Sequence, residues 1–372
     1  MDDRIIEHAR TLVDWSARVD RGDDVVVRVG PDAHDLAVAV CAELGERGAN
    51  VVTTYESGEL SRAYLRAHDG DFDAAEAELA LYDHADVVLS LGGTRNTMAM
   101  ADVDGDRQAA YARARQAARE ARLASRWVST VHPTRALAQQ AGMAFEEYQD
   151  FAYDAILRDW ETLAGEMAKL KQVLDEGSEV RLVTERDDGP DTDVTMSIEG
   201  RIAVNSAASV AYDSHNLPSG EVFTAPFDTE GEVFFDVPMT IQSRRVRDVW
   251  LSFEDGEVVD FAAETNEDVL ADVLDTDEGA RRLGELGIGM NRGVDRFTDN
   301  ILFDEKMGDT VHLAVGRAYR SNFPPGHEDE ANESAVHVDM ITDVSTNSYL
   351  EVDGEVVQRD GRFRWEDEFV DA

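Results

Sequence analysis

The chain is poor in positive charge, and above all in lysine. Among 372 residues there are 35 basic side chains against 78 acidic ones, a formal charge of −43, and only Lys169, Lys171 and Lys306 are lysines. That balance argues against nucleic acid and anionic membrane as partners, because both are held by basic patches. Cysteine is almost absent: Cys41 stands alone, which excludes an intramolecular disulfide and implies a reducing, cytoplasmic setting. No apolar run approaches the roughly 18 residues that span a bilayer. The opening MDDRIIEHARTLVDW is acidic and amphipathic, unlike a secretory signal.

Apolar material is not lacking. Hydrophobic residues make up 43% of the chain, enough for a sizeable core, and their periodicity separates it from acidic disordered proteins. The composition reads as a folded protein with a strongly hydrated acidic surface, as in proteins of high-salt cytoplasm, where salt screens the self-repulsion. The length suggests two domains.

The first domain, residues 1–176, carries the marks of a parallel sheet with crossover helices. VVVRVG precedes a helix over 31–47, Gly48-Ala49-Asn50 ends it, and VVTTY follows as the next strand. ADVVLSL (85–91) and WVSTVHP (127–133) are further strands, separated by helical stretches at 73–83 and 108–126, and residues 134–176 read as consecutive helices. Near Gly177 the texture turns to short β-type runs such as EVRLVTE, DVTMSIEG and EVFFDVPMTI, interrupted by one helix expected over 266–286. The fold class is therefore an α/β domain with a parallel sheet, followed over residues 177–372 by a mixed α+β domain rich in antiparallel strands.

Ligand-capable side chains collect in this second domain. His337 and Asp339 alternate along AVHVDMI, so as strand residues they point the same way, and an imidazole and a carboxylate on an apolar strand need a partner. His312 lies in the strand-like TVHLAV, with Tyr319 seven residues on; by themselves a strand histidine and a tyrosine are ordinary core residues. Glu221 leaves the tight turn Pro218-Ser219-Gly220 with a fixed direction, although in so acidic a chain a single glutamate can be plain solvated surface. Glu285 sits among Leu283, Leu286 and Ile288 with Gly284, Gly287 and Gly289 around it, either buried beside a cation or exposed at a helix end. Together these six can hold two divalent ions with a bridging carboxylate. Their oxygen and nitrogen character suits zinc, cobalt, manganese or magnesium.

Four motifs in order, NLPSGEVFTAP, LGELGIGMN, ILFDEKMGDTVHLAVGRAY and VHVDMITD, make the sequence resemble the dinuclear metallo-aminopeptidases of the aminopeptidase T, aminopeptidase S and PepS group, the thermophilic metalloprotease family. WVSTVHPTRALAQQAGMAFEEYQDF is in the family's style as well, so the resemblance is full-length. It implies that Glu221, Glu285, His312, Tyr319, His337 and Asp339 take the places of the metal-site residues. Glu285 would bridge the ions, Tyr319 would bind metal or donate to the oxyanion, and Glu221 or Glu285 would shuttle the proton. It further implies release of N-terminal residues from short peptides, and a homodimer. Val338 stands where many relatives have tryptophan, on the face opposite His337 and Asp339, so the departure concerns packing. Glu305 and Lys306 belong to the motif without a ligand role and read as surface residues or as supports behind the ligands. Two other readings compete: a different two-metal hydrolase, an amidase or phosphoesterase, and a non-catalytic α/β protein holding an anion at the turn Gly92–Asn96.

The charge generates one expectation independent of function. Melting temperature, followed by circular dichroism, should rise between dilute buffer and molar salt; equal melting in both would discount the salt-screened surface.

Overall fold

The computed structural model describes residues 2–186, 189–241 and 244–370. Contacts divide the chain into two units, one comprising residues 1–158 and 208–218, the other 159–207 and 219–372. The division thus falls before the helix expected to close the first domain, not after it.

The first unit opens with α1 (Asp3–Arg10), which runs into a π-helical stretch over Thr11–Ser16. It continues with β1 (Asp24–Val29), α2 (His34–Arg47), β2 (Asn50–Tyr55), α3 (Gly58–Ala67), α4 (Glu76–Asp83), β3 (Val87–Gly92), α5 (Gly105–Ala114), α6 (Gln116–Ala124), β4 (Arg126–Val131), α7 (Arg135–Gln140) and α8 (Phe145–Ile156). Val25, Val26 and Val27 of β1 and Val87, Val88 and Leu89 of β3 are buried at consecutive positions. Both faces of the central strands are therefore covered, which is why their sequence shows a continuous apolar run and no alternation. One cluster shows how: Val26 and Val88 pack with Tyr82 of α4 and Ala118 of α6. Gly48 ends α2 in the left-handed conformation (φ 79°), its N–H donating to Leu44 O at 3.0 Å.

The second unit begins with α9 (Trp160–Glu176), then β5 (Glu179–Thr184), β6 (Thr192–Ser197) and β7 (Val204–Ser206). The chain returns to the first unit for β8 (Asn216–Leu217), which extends that parallel sheet to the order β2-β1-β3-β4-β8. Back in the second unit come β9 (Glu221–Thr224), β10 (Phe227–Phe235), β11 (Met239–Ile241), β12 (Arg244–Glu254), β13 (Glu257–Thr265), α10 (Glu267–Leu274), β14 (Leu283–Gly289), α11 (Ile301–Asp304), β15 (Thr310–Gly316), β16 (His337–Asp343), β17 (Ser348–Val352), β18 (Glu355–Arg359) and β19 (Arg362–Phe363). Helix α9 packs against β7 and β9, and so belongs with this unit. An antiparallel sheet runs β11-β12-β10-β6-β5-β17-β18-β19, with β13 paired to β12. Three of its hairpins turn on Asp-Gly pairs with positive φ at both residues, Asp255-Gly256, Asp353-Gly354 and Asp360-Gly361, the backbone that a tight hairpin requires.

The other sheet, β16-β15-β14-β9-β7, is antiparallel throughout and carries the candidate ligands. Every residue of β14 and β15 is buried. The helix expected over 266–286 ends at Leu274, and Glu285 lies on a strand, not at a helix end. A strand buried on both faces shows no two-residue alternation, so LGELGIG can be taken for the end of a helix.

Glycine makes the ligand face possible at one position above others. Gly287 is the cross-strand partner of His312, and a Cβ there would lie 2.0 Å from His312 Nε2. Gly45, inside α2, has nothing within 4 Å of such an atom. Gly287→Ala should therefore cost about 1–3 kcal/mol in chemical denaturation through overpacking, whereas Gly45→Ala should gain about 0.5–1 kcal/mol by restoring helix propensity. Equal effects would contradict this view of the ligand face.

Candidate metal centre

Register places the ligands. Residues directly opposed in an antiparallel pair share a face of the sheet, and side chains alternate along each strand. Glu285 opposes Ala314, which opposes Asp339, while Gly287 opposes His312 on one side and Phe223 on the other. Gly289 opposes Glu221, and Gly316 opposes His337. One face thus presents Glu221, Glu285, His312, His337 and Asp339, and between them stand glycine or alanine at 287, 289, 314 and 316. The opposite face presents Val222, Leu286, Ile288, Val311, Leu313, Val315 and Met340, an ordinary apolar core. Val338 belongs to that second face, consistent with a packing role.

A bulge between Leu283 and Glu285 is what turns Glu285 to the ligand side. Leu283 opposes Val315 and Glu285 opposes Ala314, so two residues that simple alternation would put on one face end up on opposite faces. Gly284 permits it, because a Cβ there would sit 2.4 Å from the carbonyl oxygens of both Gly316 and Arg317.

Five of the six expected residues meet on this face. His312 Nε2 lies 3.1 Å from Glu285 Oε1 and 3.6 Å from Glu221 Oε2. His337 Nε2 lies 3.6 Å from Glu285 Oε2 and 3.4 Å from Asp339 Oδ1. Two groups result, Glu221–Glu285–His312 and Glu285–His337–Asp339, each with its donor atoms within 4.8 Å of one another. Glu285 is common to both and turns one oxygen to each. Tyr319 stands at the rim, 40% exposed, with its ring centroid 5.0 Å from that of His337 and 5.9 Å from that of Phe223.

The surroundings fit divalent cations. Glu221 Oε2, Glu285 Oε2 and Asp339 Oδ1 are buried and accept no hydrogen bond from the described residues. An uncompensated buried carboxylate is costly, and three facing one another are more so. His337 Nδ1–H donates to Arg317 O (2.7 Å), which fixes the ring and leaves Nε2 toward the carboxylates, the usual arrangement of a ligating imidazole.

The titration behaviour follows from the same proximity. Burial raises Glu285 above the ordinary carboxylate range. Burial opposes charge on both imidazoles, yet the neighbouring carboxylates prevail: Glu285 and Glu221 raise His312, and Asp339 and Glu285 push His337 up to about 9. Asp339 is held low by His337 and His312 against the effect of burial. Burial, Glu285 and Asp339 raise the Tyr319 phenol, which keeps its proton.

Of the two readings of Lys306, surface residue or support behind the ligands, the structure fits the second: it is fully buried, and its Nζ lies 3.3 Å from Glu221 Oε1 while pairing with Glu305 Oε1. A lysine in a chain with only three was the available signal.

Comparison with known proteins adds to this geometry. The profile of the family described as thermophilic metalloprotease (M29) matches residues 1–363. Aminopeptidase T of Thermus aquaticus is 37% identical over 194 residues, which cover 48% of this chain and 47% of that protein, so this alignment spans about half of each. Aminopeptidase 2 of Geobacillus stearothermophilus is 29% identical over 96% of this chain and 94% of its own length. Among solved structures, wild-type AmpT from Thermus thermophilus matches with a TM-score of 0.83 at 25% identity, covering 97% of this chain and 99% of that one.

Without a cation His337 is protonated below about pH 9, and that proton must leave before the ring can ligate. Divalent-ion affinity, measured by chelator competition, should therefore climb by about tenfold per pH unit from pH 6 toward 9 for each proton displaced. A flat profile would exclude His337 from the ligand set.

Proposed function

We infer the reaction from the premise that the chain belongs to the thermophilic metalloprotease (M29) family: it is a metallo-aminopeptidase, and its substrates are short peptides with a free N-terminus. The observation that carries this reading is Glu285, one buried carboxylate shared by two ligand groups. We assign Glu221, Glu285, His312, Tyr319, His337 and Asp339 to a centre for two divalent ions, of zinc, cobalt, manganese or magnesium type.

When bound, such a pair of ions supplies Lewis acidity that acidifies a shared water and polarises the scissile carbonyl. The chain's own residues do the rest. Glu285, common to both groups, would be shared between the two ions, and His312 with Glu221 and His337 with Asp339 would hold one ion each. Tyr319, kept protonated by burial and by the neighbouring carboxylates, would donate to the oxygen on which negative charge develops. A carboxylate of the site would carry the proton from the attacking water to the leaving amine. Recognition of the free α-amine at this centre would confine the enzyme to chain ends. By the family resemblance the working form is a homodimer, and the single cysteine suits a cytoplasmic location. Among the described residues no helix is long and apolar enough to cross a membrane.

Leucyl-anilide should be cleaved only with divalent metal present, and its N-acetylated form should not be cleaved. Equal cleavage of both would favour the amidase reading. Glu285→Gln and His337→Ala should each lower turnover roughly 100-fold or more while leaving a folded protein, and turnover near wild type in either would remove the site assignment.

A further inference from the structure

The segment bearing Lys306 crosses the ligand face of its own sheet. A Cβ at Gly289 would lie 2.0 Å from Met307 O, so only glycine lets that backbone pass, and Asn291 N–H donates to Lys306 O at 3.1 Å. Gly289 is the cross-strand partner of Glu221, which brings the crossing segment to that glutamate. The glutamate's own approach is pinned from the same residue: Asn291 Nδ2 donates to Ser219 O (2.8 Å), and Met290 N–H donates to Gly220 O (2.8 Å). Three sequence motifs converge on one contact, Lys306 Nζ against Glu221 Oε1.

The two glutamates of the centre consequently differ. Glu285 turns Oε1 to His312 and Oε2 to His337. Glu221 turns only Oε2 inward, toward His312, since Oε1 faces the ammonium.

We propose that Lys306 is a positioning residue that occupies one oxygen of Glu221, so that this carboxylate meets a cation through Oε2 alone and the Glu221–Glu285–His312 subsite depends on Lys306 while the Glu285–His337–Asp339 subsite does not. The proposal rests on the metal-centre assignment above. It makes the two ions unequal by construction. A fixed ammonium beside one ligand also limits the negative charge of a site that holds Glu221, Glu285, Asp339 and the adjoining Glu305. Support behind a ligand is worth roughly 10- to 100-fold in metal affinity where it has been removed elsewhere.

The test compares full-length wild type and Lys306→Met by titration with manganese(II) alone, using chelator competition and metal analysis for affinity and stoichiometry. Wild type should bind two ions. Lys306→Met should keep one at wild-type affinity and bind the other roughly 10- to 100-fold more weakly. Unchanged affinity for both ions, or equal weakening of both in a folded variant, would overturn the proposal. A merely structural lysine would move the melting temperature and leave the difference between the ions alone. Should Lys306→Met not fold, Glu305→Gln decides: the ammonium then has Glu221 as its remaining partner, and both ions should bind within about threefold of wild type. Loss of one ion in Glu305→Gln would place Glu305, not Lys306, in control of Glu221 and overturn the assignment. Wild type binding fewer than two ions would overturn the metal-centre reading itself, and this proposal with it.

Discussion

Three carboxylates and two imidazoles share one largely enclosed face of a five-stranded sheet, and that concentration of charge is the constraint to which the second unit answers. Bulk water would solvate these groups; a face that shields them from it does not. The face therefore keeps its intervening positions small, with glycine or alanine at 287, 289, 314 and 316; at the glycines the His312 ring and the carbonyls of Met307 and Val336 take the place of a side chain. The opposite face of the same strands is uninterrupted aliphatic core, Leu286, Ile288, Val311, Leu313 and Val315. One sheet thus has two characters, apolar core on one side and candidate ligands on the other. The alternation of strand side chains separates them.

Much of the first unit was legible in the sequence because its strands are short apolar runs bounded by glycine and polar turns. VVTTY and ADVVLSL fall within a residue or two of β2 and β3. Helix α3 went unread: GELSRAYLRA buries only Leu65, too little to give a clear apolar stripe. In the second unit the difficulty was reversed. LGELGIG is buried on both faces, and its glycines, there to admit His312 and the Met307 carbonyl, resemble a helix stop to anyone reading the chain alone.

The candidate ligands were legible as a set but not as a geometry. His337 and Asp339 announce a shared face by their two-residue spacing. Glu221 and Glu285, in a chain with 78 acidic residues, stand out in sequence only by the motifs around them, and burial then marks both. Their meeting depends on pairings between segments far apart in sequence, which no local pattern encodes. For Lys306 the sequence left surface and support behind the ligands both open, because its significance lies in what the crossing at Gly289 places beside it.

The bulge at Leu283 and Glu285 gives the strand something like a reading frame. It lies at the very start of β14: Leu283 before it and Glu285 after it oppose neighbouring residues of β15, so they point to opposite layers although they stand two places apart. Gly284 is the extra residue, and a Cβ there would run into the carbonyl oxygens of Gly316 and Arg317. A strand drawn straight at the same length would bring Leu283 and Glu285 onto one side. Removing Gly284 would instead leave the two adjacent and still on opposite faces. A side chain at 284, more than a change of length, is what this part of the sequence cannot absorb.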